Sequence, residues 1–280
     1  MTTIQALIIA VLQGVTELFP VSSLAHAVII PAILHWNIDQ RGAAFLPFLV
    51  TLHLGTACAL FLYFWRDWMA LARGILGVGS TSTVRESRHI TALIILATLP
   101  AVVLGFLFEG FLRRLFGTPQ VAALFLVVNG VLLLVGEKLR RGSEQTIHRP
   151  IASLTSRDAV IIGLWQCLAF VPGISRSGVT IIGGILRGID HQGSARFSFL
   201  IGTPIIFAAT VEQALHLHKS GVTIASWIPA ILAALVAGVT AFASTAFLMR
   251  YFRSHEQWAM SPFAIYCLIA GIASFAILYT

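Results

Sequence analysis

Six apolar runs, near residues 46–65, 90–109, 119–137, 197–214, 227–249 and 262–280, pass without a charged residue in their middles. A helix needs roughly 20 apolar residues to cross a hydrocarbon core, and each run meets that length. Only 10% of the 280 residues are charged and 58% are hydrophobic, where a water-soluble domain carries about 25% charged residues. A chain of this size has no interior large enough to hide so much apolar surface, so part of its solvent is lipid. The fold class that follows is an all-α polytopic membrane protein, because helices satisfy their own backbone groups inside the bilayer.

Two further apolar regions behave differently. Residues 4–35 are interrupted at "FPVSS" and residues 158–186 at "VPGISRSG". The helical stretch before each proline has about 15 residues, or roughly 22 Å, against a hydrocarbon core of about 30 Å. Each region is therefore either a re-entrant dip or one kinked full span. Loop charges separate the two. With re-entrant regions, Lys and Arg divide 13 to 4 between the faces; with full spans they divide 10 to 7. The first division obeys the positive-inside rule far better. It puts both termini on the outer face.

The same layout recurs in the two halves: a Pro-broken, Ser-rich region, then three spans. An odd number of crossings per half turns the second copy upside down. The expectation is two inverted-topology repeats, residues 1–141 and 158–280, joined by a polar linker at 142–157. Inverted repeats place a site near the midplane, built from broken helices.

Away from segment ends, two charged residues lie in apolar sequence: Glu17 and Arg176. Each costs about 2.5–3.5 kcal/mol at the bilayer centre on insertion scales, so each needs a partner or a task. They sit beside the two breaks, and the inverted geometry is expected to bring them together. A structural salt bridge alone would explain the charges, but not the hydroxyls and helix breaks around them.

In "PGISRSG", Gly173 and Gly178 flank Ser175, Arg176 and Ser177. Glycines admit an anion close to backbone N–H groups, a helix start adds its positive dipole end, and Arg offers a planar fork of donors. The expected result is an oxyanion cradle. In "QGVTELFPVSSLAH", Ser22 and Ser23 follow the break as candidate site hydroxyls, Ser22 for substrate binding; the bland alternative is that one of them merely caps the following helix. His26, one turn after Ser23, is the candidate acid/base group. Glu17 facing a phosphate calls for a divalent cation between them, Mg²⁺ or an equivalent such as Ca²⁺. Gln13, one turn before Glu17, supplies a neutral hydrogen-bonding neighbour. His53, mid-span beside Gly55, reads as structural or supporting; His216, His218 and His255 carry no signal.

Several classes drop out. The net charge of +7 is scattered over loops with no basic groove, so nucleic acid is not a partner. Cys58, Cys167 and Cys267 lie in apolar sequence without CxxC spacing, which implies neither disulfides nor zinc. The opening "MTTIQALIIAVLQG" lacks the positive n-region of a cleavable leader.

Together, "QGVTELFPVSSLAH" and "PGISRSG" resemble the two signature motifs of the undecaprenyl-diphosphate phosphatases of the bacitracin-resistance family. The resemblance implies hydrolysis of undecaprenyl diphosphate to the monophosphate, recycling the lipid carrier for peptidoglycan synthesis. It implies a divalent metal and a site open to the periplasmic side of the bacterial inner membrane. By motif position it assigns metal and diphosphate binding to Glu17, attack and proton transfer to Ser23 and His26, and the phosphate clamp to Arg176. Two positions depart from the pattern: Gln13 stands where Glu is common, and "LA" follows the serine pair where a pair such as Thr-Gly is common. The rival reading is a secondary transporter or polyprenyl-phosphate flippase, which shares the inverted-repeat architecture but does not need Ser, His, Glu and Arg together. A homodimer is compatible with the sequence.

Overall fold

The computed structural model describes residues 1–40, 45–108, 110, 118–142, 149–219 and 228–279. All regular structure among them is helical. Eleven α-helices run in order: α1 (Thr3–Thr16), α2 (Ser23–Ile33), α3 (Phe45–Tyr63), α4 (Trp65–Ile75), α5 (Thr81–Leu107), α6 (Pro119–Gly142), α7 (Ser156–Cys167), α8 (Arg176–Ile185), α9 (His191–Lys219), α10 (Ile228–Ser254) and α11 (Ser261–Tyr279). Part of the expected linker, residues 143–148, and the side chains of His216 and His218 lie outside the described residues.

Five helices, α5, α6, α9, α10 and α11, are long and apolar enough to cross a membrane, and α3 with α4 makes a sixth, bent pair. Their outer surfaces carry Phe106, Val239 and Ile269, which are 78%, 73% and 65% exposed. Such side chains standing bare on every side are a liability in water and ordinary against acyl chains. The chain is a multi-pass membrane protein.

Three features depart from the sequence expectation. Residues 66–75 were expected in a loop; with Trp65 they form α4, turned 72° from α3. It carries Arg66, Asp67 and Arg73 and buries Leu71, the pattern of a helix lying along an interface. Helix α5 begins at Thr81, well before the apolar run near 90, because Ser80 caps it by accepting from the Thr83 N–H. Finally, α6 continues to Gly142 and draws Glu137 inside the fold. There its buried carboxylate meets His191 at 2.9 Å and the Trp258 N–H at 3.1 Å.

Both breaks fall where expected. Helices α1 and α7 are only 14 and 12 residues long, and each starts from a capping box, Thr2 with Gln5 and Thr155 with Asp158. Each is followed by a break and a second short helix capped by a serine, Ser22 for α2 and Ser175 for α8. Thr2 and Thr155, Gln13 and Gln166, Ser22 and Ser175, and Ser23 and Arg176 are all 153 residues apart. Packing follows the same duplication: α1 lies on α10, the second span of the other half, and α7 lies on α5, the second span of its opposite.

Candidate active site

The two breaks meet. Asn129 of α6 stands between them, donating from Nδ2 to the Pro20 carbonyl at 2.9 Å and accepting the Ser175 N–H on Oδ1 at 3.0 Å. Gly173 turns the second break at φ +111°, and a Cβ there would come within 2.5 Å of the Ala122 carbonyl oxygen of α6. Only glycine fits both demands.

Around this joint the charged side chains converge. One Arg176 nitrogen, Nη2, lies 3.2 Å from Glu17 Oε1, and Nη1 donates to the Ser198 carbonyl at 3.3 Å. Gly202 leaves the space that the guanidinium fills. The other carboxylate oxygen, Glu17 Oε2, accepts from Ser23 Oγ at 2.6 Å and Gln13 Nε2 at 3.2 Å, and His53 Nε2 stands 3.3 Å away. His53 is aimed by its Nδ1, 2.7 Å from the Leu49 carbonyl. Glu17 is 8% exposed, and its charge is met on both oxygens, as a carboxylate at this depth requires.

The serine pair divides its work. Ser22, at φ +68°, is the cap of α2 and accepts the Ala25 N–H. That leaves Ser23, the first residue of α2, free to hydrogen-bond Glu17. A cavity of about 320 Å³ opens over these groups. Glu17, Ser22, Ser23, His53, Ser175 and Arg176 line its polar end, and Leu49, Phe170, Ile205 and Ile206 its apolar walls.

The site expectations meet the structure unevenly. Glu17, Ser22, Ser23, Ser175 and Arg176 line one cavity, and Gln13 touches Glu17. Ser177 does not join them: its hydroxyl donates to the Phe19 carbonyl at 3.1 Å, so it ties the breaks together. Gly173 and Gly178 likewise serve packing, with the Gly178 N–H donating to Ser175 Oγ at 3.1 Å. The expected anion cradle of hydroxyls and glycines is thus narrowed to Ser175 and Arg176. His26 is not bonded to Ser23. Its Nδ1–H donates to the Ser22 carbonyl at 2.7 Å and its Nε2 accepts from the Tyr266 hydroxyl at 2.7 Å. Both ring nitrogens are engaged, and neither with Ser23.

Asn129, Tyr266 and Gln166 were not singled out from sequence. Asn129 carried a usable signal, a lone carboxamide in the middle of an apolar span, which in lipid must find partners. Gln166 carried a similar signal, a carboxamide in apolar sequence 153 residues after Gln13; Tyr266 carried none, because its role depends on which helices pack together.

Among the described residues no cluster of three or more His, Cys, Asp and Glu offers a closed metal site. The donor set nonetheless suits a hard cation completed by substrate. Gln13 Oε1 is buried without a hydrogen-bond partner among the described residues, next to the Glu17 carboxylate. Mg²⁺ commonly takes one or two carboxylates plus phosphate oxygens; Glu17 is the single carboxylate here, with the neutral Gln13 oxygen as its neighbour.

Residues 6–273 match the family described as Bacitracin resistance protein BacA. The chain belongs to this family. Among similar BacA-type proteins, an undecaprenyl-diphosphatase of Gluconacetobacter diazotrophicus is 57% identical over 278 residues, covering 99% of this chain and 98% of that protein. One from Granulibacter bethesdensis is 55% identical, covering 100% and 98%. A third, from Acidiphilium cryptum, is 52% identical, covering 98% and 97%. BacA membership spans both broken regions and every helix that builds the cavity.

Proposed function

We propose that this protein is an undecaprenyl-diphosphatase of the bacterial cytoplasmic membrane, removing the terminal phosphate of the lipid diphosphate to leave undecaprenyl phosphate. The observation that carries the mechanism is the 2.6 Å hydrogen bond from Ser23 Oγ to Glu17 Oε2, with Arg176 on the opposite carboxylate oxygen. A nucleophile, a base in reach and a phosphate clamp share one pocket. Its apolar walls suit an isoprenoid chain.

In this reading Ser23 Oγ attacks the terminal phosphorus and the bridging P–O bond breaks. Glu17 takes the Ser23 proton and passes it to the departing lipid phosphate. Arg176 spends two nitrogens on Glu17 and Ser198, and its remaining N–H groups face the transferred phosphoryl oxygens. Phosphoryl transfer depends mainly on such positioning and charge stabilisation. His53 and Gln13 hold the Glu17 carboxylate in its working orientation, and His26 secures the strained backbone at Ser22. A divalent cation, Mg²⁺ or Ca²⁺, held by Glu17 and Gln13, would supply further neutralisation of phosphate charge when bound.

We read the halves as inverted repeats with the termini and the pocket mouth on the periplasmic side. Support comes from the 13-to-4 division of loop charges, the matched caps of the two breaks and the exchanged packing of α1 and α7.

The test is release of inorganic phosphate from undecaprenyl diphosphate by purified protein in detergent, where no gradient exists to drive a transporter. The expected result is turnover that chelator abolishes. Full activity in a Glu17→Ala, Arg176→Ala double variant would end the site assignment, and silence of the wild-type protein would favour transport.

A further inference from the structure

Gln166 is 2% exposed on the last full turn of α7 and lines the same cavity as Glu17, Ser23 and Arg176. Its Nε2 donates to the Ala97 carbonyl of α5 at 3.4 Å. Its Oε1 is buried and receives no hydrogen bond from any described residue. Exchanging the amide ends would set two carbonyl oxygens face to face, so the free end is an acceptor. The geometry is held by packing: a Cβ at Gly163, one turn earlier, would come within 2.5 Å of the same Ala97 oxygen. Helix α7 therefore cannot draw away from α5 without losing its closest contact.

A buried acceptor without a donor is penalised unless something donates to it during the working cycle. An ionised diphosphate has no proton to offer, and the Ser23 hydroxyl is spent on Glu17. Water has two. Hydrolysis must admit one water per turnover, and the other polar groups of the pocket are donors or are already engaged. Gln13, 153 residues before Gln166, also has a buried Oε1 without a partner among the described residues, but its Nε2 is held on Glu17, which puts that oxygen beside the carboxylate as the cation donor of the proposed function.

We propose that Gln166 positions the water that clears phosphate from Ser23. This rests on the reading of Ser23 as nucleophile. The water oxygen bonds to the phosphorus of phosphorylated Ser23 and the P–Oγ bond breaks. One water proton passes by way of Glu17 to Ser23 Oγ, and the other stays on the inorganic phosphate that leaves. Gln166 Oε1 accepts a hydrogen bond from the attacking water, which fixes its lone pair toward phosphorus.

The experiment is rapid-quench turnover of undecaprenyl diphosphate labelled in its terminal phosphate, using wild type, Gln166→Met and Gln166→Glu. Met keeps the length of the side chain without an acceptor; Glu keeps an acceptor. For Gln166→Met the expected result is one equivalent of undecaprenyl phosphate at near wild-type rate, then a steady state slower on the order of 10²-fold, with label accumulating on Ser23. Gln166→Glu should accumulate less label. A folded Gln166→Met protein, checked by its unfolding midpoint, whose first turnover and steady state fall in parallel overturns the water role. So does one in which neither changes. Absence of label on Ser23 in every variant while phosphate is still released overturns the nucleophile reading, and this inference with it.

Discussion

His26 and Tyr266 lie 240 residues apart in sequence, yet their side chains share a 2.7 Å hydrogen bond and their rings stack within 9° of parallel. In the proposed reading this pairing gives His26 the support of a backbone turn rather than proton transfer. Its Nδ1–H holds the carbonyl of Ser22, a non-glycine residue in the left-handed region, where most side chains are strained. His26→Ala is expected to lower kcat on the order of 10²-fold by misplacing Ser23. His26→Asn, whose amide can donate to the same carbonyl, should recover part of that loss. A proton shuttle would leave both variants equally inactive and would reshape the pH–rate profile, so the pair of measurements separates the two roles.

The Glu17–Arg176 pair makes a different kind of prediction. Both groups are largely buried, and removing one strands the other's charge at a cost of about 3–5 kcal/mol. Arg176→Ala should therefore lower the unfolding midpoint in detergent as well as abolish turnover. Adding Glu17→Gln to it should restore much of the midpoint without restoring activity. Equal midpoints for the single and double variants would mean that the carboxylate finds another partner when the guanidinium is gone.

Much of this was readable before any fold was known, and the reason is the solvent. Lipid makes an ionisable residue expensive, so Glu17 and Arg176 stood out against the apolar runs. The structure brings the two to 3.2 Å of one another. Helix α4 was hidden because its alternating charges and apolar residues resemble a loop when only spans are sought. The partners of Ser177 and His26 were hidden for another reason. A hydroxyl or imidazole beside a helix break can face the cavity or lock the break, and only the three-dimensional path of the chain decides which.

Asn129 should behave as the rivet between the breaks. Asn129→Ala leaves the Pro20 carbonyl and the Ser175 N–H without their present partner, and an unsatisfied buried group costs about 1–3 kcal/mol. The expected result is a lower unfolding midpoint together with a fall in kcat and little change in KM, since the pocket walls remain. Asn129→Asp still accepts from Ser175 but turns an acceptor toward the Pro20 carbonyl, so it should be no better than Ala. An Asp variant with wild-type stability would show that the Pro20 contact contributes nothing.

Gln13 offers the clearest test of the cation. Its Oε1 is buried without a hydrogen-bond partner among the described residues, and its Nε2 is on Glu17. Hard cations favour charged oxygen donors over neutral ones. Gln13→Glu should therefore lower the Mg²⁺ or Ca²⁺ concentration needed for half-maximal turnover. It also sets a second carboxylate against Glu17, a like-charge contact that should reduce stability when metal is absent. Gln13→Leu removes the oxygen donor and should raise the metal requirement while keeping the fold. Thermal unfolding of Gln13→Glu with and without metal gives a readout independent of turnover: a midpoint that rises with added cation in this variant and not in Gln13→Leu places the ion beside position 13. Identical metal dependence in wild type, Gln13→Glu and Gln13→Leu would instead mean that the cation is carried by the diphosphate alone.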